Sequence, residues 1–461
     1  MPTLPLVTHN SPDKIIAWRK GKAISAQTFL ADAEYLAALL PAGKHVLNVC
    51  ADRYHFAVGL AAAIISNKVS LLPPTHTPDM VQQLQAFAAD VFCLHDNQDC
   101  VIDLPKLLYP VMPVHTHTAS TIPEVDVEQL VAIVFTSGST GVPLPHEKRW
   151  GSLVHNVQAQ AIRLGLSASI DYSIVGTIPP QHMYGFESTV LLPLQSGNAL
   201  CSAQPFYPAD ICNAMESSSM DSKATSRILV STPLHLRLLL EAGLEVPEAA
   251  LVLSATAPLS ESLAYKVEAS FKAPLVEIYG STETGQIATR HTSQAEEWQL
   301  LPGITLSQHG GQTWAEGGHV ENPVALNDII ESTGPSHFLL KGRQQDLINI
   351  AGKRNSLENL NHHLNSIEGV IDGAFFMPDE VSHDHVTRLS ACVVAPSLTA
   401  AQLLAALRLR MDAVFLPRPL MFVESLPRNS TGKLPRTSLL KLISEQMNDA
   451  GAYTQGLENT A

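Results

Sequence analysis

Three short segments hold most of the residues in this chain that could do chemistry. The first, Thr136-Ser137-Gly138-Ser139-Thr140-Gly141, follows the apolar run Leu130-Val131-Ala132-Ile133-Val134-Phe135. That run has the length and composition of a buried strand. Gly138 and Gly141 tolerate backbone angles that other residues resist, so the loop can approach a ligand closely. Its amides and hydroxyls suit a polyphosphate. No Gly-Lys-Ser/Thr follows, which excludes a Walker A loop. Loops of this composition also serve as plain connectors.

The second segment is Tyr279-Gly280-Ser281-Thr282-Glu283-Thr284-Gly285, which again leaves an apolar run. Tyr279 offers a flat face to a base and Thr282 a hydroxyl to a phosphate. Glu283 is a carboxylate able to hold a Mg²⁺ ion that bridges phosphates. A turn with a solvated Glu accounts for the same residues. The third segment runs from Leu426 to Arg436 and contains Thr431-Gly432-Lys433. A Lys on a Gly-containing loop presents one cation, although single lysines are mostly plain surface groups.

The elements that must position these loops read as alternating strands and helices. Strand-like runs occur at Val46 to Cys50, Val69 to Leu72, Ser173 to Ile178, Ile228 to Ser231, Ala250 to Ser254 and Leu275 to Tyr279. An Ala- and Ile-rich helix is expected near 54–66. This alternation predicts an α/β fold with largely parallel sheets, whose ligands sit at strand carboxyl ends. Residues 1–345 are expected as one large domain, with a small β-rich subdomain at about 303–340. Residues 346–461 are expected as a compact α+β domain. Its helices are placed near 356–367 and 399–413, and its strands near 370–377, 388–395 and Leu420 to Val423.

Bulk properties narrow the function. The 461 residues are 45% hydrophobic, with a formal net charge of −14. That balance argues against a general nucleic-acid binder, which needs clustered Lys and Arg. Cys50, Cys93, Cys100, Cys201, Cys212 and Cys392 form no CxxC pair, so neither a zinc knuckle nor a disulfide framework is indicated. No apolar stretch is long enough to span a bilayer, and the first twenty residues lack signal-peptide order. A cytoplasmic protein is expected.

In order and spacing the three segments resemble the adenylate-forming superfamily of acyl- and aryl-CoA synthetases, peptide-synthetase adenylation domains and luciferases. Thr136 to Gly141 matches its phosphate loop and Tyr279 to Gly285 its YGxTE segment. Thr431-Gly432-Lys433 matches the motif of its catalytic lysine, and Gly342 to Ile348 is similar to its GRxxDxI hinge.

The resemblance implies a large N-terminal domain of layered α/β sheets and a small mobile C-terminal domain. It also implies two-step chemistry: a carboxylic acid, aryl or fatty, attacks ATP to give an acyl-adenylate and pyrophosphate. The thiol of CoA, or of the phosphopantetheine on an acyl carrier protein, then takes the acyl group. Thr136, Ser137, Gly138, Ser139, Thr140 and Gly141 would hold the β- and γ-phosphates. Tyr279, Gly280 and Ser281 would lie beside the nucleotide, with Thr282 on the α-phosphate and Glu283 on Mg²⁺. Ala255 and Ala257 would wall the adenine and acyl pockets, and Tyr184, Phe186 and Thr256 would join the acyl pocket. Asp328 and Arg343 would hold the ribose, Lys433 would bridge carboxylate and α-phosphate, and Asp346 would be the pivot. His182, in Gln181-His182-Met183-Tyr184-Gly185, matches the family's aromatic-gate segment.

Two positions depart from the pattern. The phosphate loop continues Gly141-Val142-Pro143-Leu144, without the usual lysine, and Lys148 and Arg149 are the nearest replacement cations. Asp328 follows Leu326-Asn327 rather than Thr-Gly. These departures leave a second reading, a non-catalytic relative that binds nucleotide or acyl ligand.

Overall fold

A computed structural model describes residues 1–113, 121–136, 143–166, 170–217, 227–343, 347–350, 353–377, 389–429, 432–435, 437–443 and 445. They divide into two compact units: residues 1–255, 263–326 and 334–337 in the first, 256–262, 327–333 and 338 onward in the second. The expected boundary at 345/346 thus falls inside the second unit, which also takes in two earlier excursions of the chain.

Two sheets organise the first unit. One orders its strands as Leu144–Arg149, Leu130–Thr136, Val69–Leu72, His45–Asn48, Phe92–His95 and Lys106–Leu108. It is parallel except where Leu144–Arg149 turns back against Leu130–Thr136. In the other, Leu275–Ser281, Leu251–Ser254, Arg227–Ser231, Ser173–Gly176, Ala199–Cys201 and Ile15–Arg19 run parallel. Gly285–Arg290 and Trp298–Leu300 extend it by antiparallel pairing. The alternation of short apolar runs and helices is the signature of these parallel crossovers.

The main core joins the two sheets. Val46, Leu72, Val131 and Val134 from one share an apolar cluster with Ile174, Ile228, Leu253 and Val276 from the other. Helices Arg53–Ile65 and Trp150–Arg163 contribute to the same cluster. The first is buried along nearly its whole length, as its Ala- and Ile-rich sequence requires. Asp52 caps it, accepting hydrogen bonds from the amides of Tyr54 and His55. The expected β-rich region contains a three-stranded antiparallel sheet of Thr305–His309, Gln312–Gly317 and Val320–Leu326.

The second unit is α+β. Strands Asp372–Phe376, Ser390–Val394 and Leu420–Phe422 form a sheet. Helices Leu357–Asn365 and Ala400–Arg408 bury Leu360, Leu364, Leu403 and Leu407 in its core. Thr399 and Gln402 form a capping box at the start of the second helix. Among the described residues, no helix is long and apolar enough to cross a membrane, and all six cysteines are free thiols.

Candidate active site

Strand register builds the first half of the site. Residues two apart on a strand share a face, so His146 and Lys148 project together from Leu144–Arg149. Thr136, at the carboxyl end of its strand, pairs with Leu144, one pleat before His146. Thr136 Oγ1 and His146 Nε2 are 2.9 Å apart. The same ring nitrogen lies 3.6 Å from Glu283 Oε1. Burial lowers the His146 pKa; Glu283 opposes this and Lys148 adds to it.

The second half is the hairpin joining Leu275–Ser281 to Gly285–Arg290. Gly280 is needed there, since a Cβ would lie 2.2 Å from the Gly285 carbonyl oxygen. The Ser281 amide donates to Thr284 Oγ1 at 3.1 Å, and the Thr284 amide donates to Ser281 Oγ at 3.2 Å. These reciprocal bonds close the turn that carries Thr282 and Glu283. The Glu283 carboxylate is 43% exposed. Burial works to raise its pKa, but hydrogen bonds from its own amide and from Ser281 outweigh it, and the charges of His146 and Lys148 add to them. The net shift is downward, so the group is ionised at neutral pH.

Beneath the turn lies Lys148, only 8% exposed. Its Nζ donates to the carbonyl oxygens of Thr282 at 2.5 Å and Glu283 at 3.4 Å. Glu187 supplies the opposing charge, and burial drives the Lys148 pKa down and the Glu187 pKa up. Glu187 sits in the buried π-helical segment Phe186–Leu191, a helix form often found at functional sites. Asn156 Nδ2 donates to its Oε1 at 2.9 Å.

Lys148 and Arg149, the nearest replacement cations in the sequence, both bond to protein groups in the structure. The Arg149 guanidinium donates to the Glu128 carbonyl at 2.8 Å and lies 3.6 Å from the Glu147 carboxylate.

Tyr279 stands before the turn with its ring 5.6 Å from that of Trp298. Arg290 stacks on Trp298, 4.5 Å from the ring centre, and its Nη2 pairs with the buried Glu277 carboxylate at 2.5 Å. Thr292 donates its hydroxyl to the same carboxylate. His182 stands at the start of the short helix Met183–Gly185, just ahead of the π-helical segment, and its carbonyl accepts from the Phe186 amide at 2.7 Å. Tyr184 and Phe186 are buried, as is Ala255 past the end of Leu251–Ser254.

The second unit holds the remaining sequence candidates. Ala257 follows Thr256, whose φ is +78°. Asp328 opens the strand Asp328–Gly334, and Arg343 closes His337–Arg343. Lys433 is exposed on a tight loop. Its amide donates to Asn429 Oδ1 at 2.9 Å and its carbonyl accepts from the Asn429 amide at 2.8 Å. Ser137, Gly138, Ser139, Thr140, Gly141 and Asp346 lie outside the described residues, as does the Arg343 side chain.

Thr136, Thr282 and Glu283 are thus brought into one polar network, linked by His146 and Lys148. Sequence reasoning missed His146 and Glu187 as site residues. The alternation of His146 and Lys148 and a lone charged residue, Glu187, in the otherwise uncharged stretch Met183 to Leu194 were the available signals.

Residues 7–310 match the family model of the AMP-binding enzymes. Over 310 residues the chain is 29% identical to a 4-coumarate–CoA ligase of Rhodobacter capsulatus, covering 66% of this chain and 75% of that one. Over 363 residues it is 24% identical to a 4-chlorobenzoate–CoA ligase of an Arthrobacter species, covering 69% and 67%. Among solved structures, the o-succinylbenzoate CoA synthetase MenE of Bacillus subtilis, in complex with its acyl-adenylate intermediate, is similar with a TM-score of 0.78 at 16% identity, covering 95% and 98%. The expected layered α/β architecture is the fold of these enzymes.

Proposed function

The chain belongs to the AMP-binding enzyme family, and from that premise we propose that it joins a carboxylic acid to ATP, releases pyrophosphate, and passes the acyl group from the adenylate to a thiol. A carboxylate oxygen attacks the α-phosphorus as the bond to pyrophosphate breaks. Two anions must meet, so the protein has to supply cations and oriented donors. The observation that carries this reading is the Glu283 turn. It presents an ionised carboxylate and a threonine hydroxyl at a strand end, with His146 standing between Glu283 at 3.6 Å and Thr136 at 2.9 Å.

Thr282 donates to the α-phosphate, and Thr136 to Gly141 cradle the β- and γ-phosphates. Tyr279, Gly280 and Ser281 border the nucleotide, and Ala255 and Ala257 wall its pocket. Asp328 and Arg343 bind the ribose. Lys433 supplies the cation between the acid and the α-phosphate, and Asp346 is the pivot of the C-terminal domain. His182 lies against the acyl group.

Glu283 also fits Mg²⁺. The described residues contain no cluster of three or more metal-ligating side chains. A single ionised carboxylate suits an ion that keeps its waters and binds mainly through phosphates. When bound, Mg²⁺ neutralises charge on the leaving pyrophosphate.

Aryl acids are the first class to try, because the two relatives are ligases of 4-coumarate and 4-chlorobenzoate. The acceptor is CoA or carrier-protein phosphopantetheine. The test is ATP–pyrophosphate exchange over aryl and straight-chain acids, followed by CoA against holo carrier protein with the best acid. Exchange is expected with at least one acid, and Lys433→Ala should reduce it by about 10²-fold or more. Absence of exchange with every acid would instead identify a non-catalytic ligand-binding relative.

A further inference from the structure

We propose that Lys148 is a positioning residue that sets the Thr282–Glu283 turn from below, with Glu187 packed against the exit of the same turn. The proposal rests on the adenylation reading above. A hairpin tip has carbonyls that no ladder bond satisfies, and the Lys148 ammonium takes those of Thr282 and Glu283. Fixing both carbonyls fixes the peptide planes, and with them the directions in which the Thr282 and Glu283 side chains leave the backbone.

The exit of the turn packs against Glu187 and Asn156. Gly285 has φ +69°, and a Cβ there would lie 2.7 Å from Glu187 Oε1 and 2.1 Å from Asn156 Nδ2. Asn156 Nδ2 in turn donates to Glu187 Oε1 at 2.9 Å. Gln286 Nε2 donates to Ser188 Oγ at 2.8 Å, in the same π-helical segment. The turn is therefore held at both ends, by a cation under its tip and by the hydrogen-bonded Glu187 and Asn156 side chains against its exit. Glu187 also supplies the main charge opposing Lys148, and removing one of two opposed buried charges is strongly destabilising.

The test compares Lys148→Met, Glu187→Gln and the double variant with the parent protein. Amide hydrogen exchange of residues 281–286 is measured without ligand, together with the thermal midpoint and the Mg²⁺ dependence of ATP–pyrophosphate exchange. Each single variant should lower the thermal midpoint, and the double variant should recover most of it. In Lys148→Met and the double variant alike, turn amides should exchange about tenfold faster and the half-saturating Mg²⁺ concentration should rise about tenfold, since both lack the charge-assisted bonds to the turn. A double variant that regains turn protection and Mg²⁺ dependence along with stability would overturn the proposal. So would a Lys148→Met protein that loses only ATP affinity, with turn protection unchanged, because that marks a phosphate ligand. If the parent catalyses no exchange, the adenylation reading fails, while the hydrogen-exchange comparison still decides whether Lys148 holds the turn.

Discussion

Arg290 stacks its guanidinium 4.5 Å from the centre of the Trp298 ring while pairing with Glu277 at 2.5 Å. Trp298 in turn lies 5.6 Å from Tyr279. A buried ion pair thus supports, through one indole, the tyrosine proposed to border the nucleotide. Trp298→Leu is expected to raise the KM for ATP about fivefold with little change in kcat, because an aromatic contact contributes about 1 kcal/mol. Initial-rate kinetics check this, and a fall in kcat at constant KM would contradict it.

Arg290→Met strands the Glu277 carboxylate, which is only 3% exposed. The expected cost is about 3 kcal/mol in urea unfolding, and Glu277→Gln added to Arg290→Met should recover much of it. Equal instability of the single and double variants would show that the pair does not act as a unit.

In the second unit, Asp372 grips Arg428 through two bonds of 2.7 Å, and Arg428 Nη1 donates to the Gly432 carbonyl at 3.0 Å. This clamp stands one residue from Lys433. Asp372→Asn is expected to lower kcat for adenylation about tenfold while leaving the KM for ATP within about twofold, since the role proposed for Lys433 is on charge that develops in the transition state. A rise in KM alone would place the loop in ground-state binding.

How much of this was legible in the sequence depended on how local the cause was. The strands ending at Thr136 and Ser281 and the helix Arg53–Ile65 follow from apolar runs and small residues close together in the chain. The Lys148 bonds to Thr282 and Glu283 do not, because residues 134 and 135 positions apart meet only once both sheets have formed. Lys148 read alone looked like a spare cation for the phosphate loop. Its burial under the Glu283 turn is a tertiary fact. The assignment of residues 256–262 and 327–333 to the second unit is equally non-local.

His9 makes stability pH-dependent. Burial, with Lys14 adding to it, lowers its pKa to about 4, against opposition from a hydrogen bond to Asn198 and the charge of Asp171. The unfolded chain titrates near 6.5, so between the two values the unfolded state binds the extra proton. Stability is complete above about pH 6.5 and is lost as pH falls toward 4. By pH 5 the loss should be about 2 kcal/mol. Urea unfolding at pH 7 and pH 5 measures it. His9→Gln, which can still donate to the Asn198 carbonyl, should flatten the dependence.

Thr256 has φ +78° directly after the buried Ala255. A β-branched residue in that region carries strain of about 1–3 kcal/mol. Glycine takes the same backbone angle without it. Thr256→Gly is therefore expected to raise the thermal midpoint, and Thr256→Asn to raise it less, since Asn tolerates this region better than Thr. The acid should bind more weakly to Thr256→Gly, because the proposed acyl pocket loses a wall. A KM for the acid raised severalfold, with the KM for ATP unchanged, would tie the strain to acyl recognition. A lower thermal midpoint in Thr256→Gly would show that the threonine side chain contributes more than its backbone angle costs.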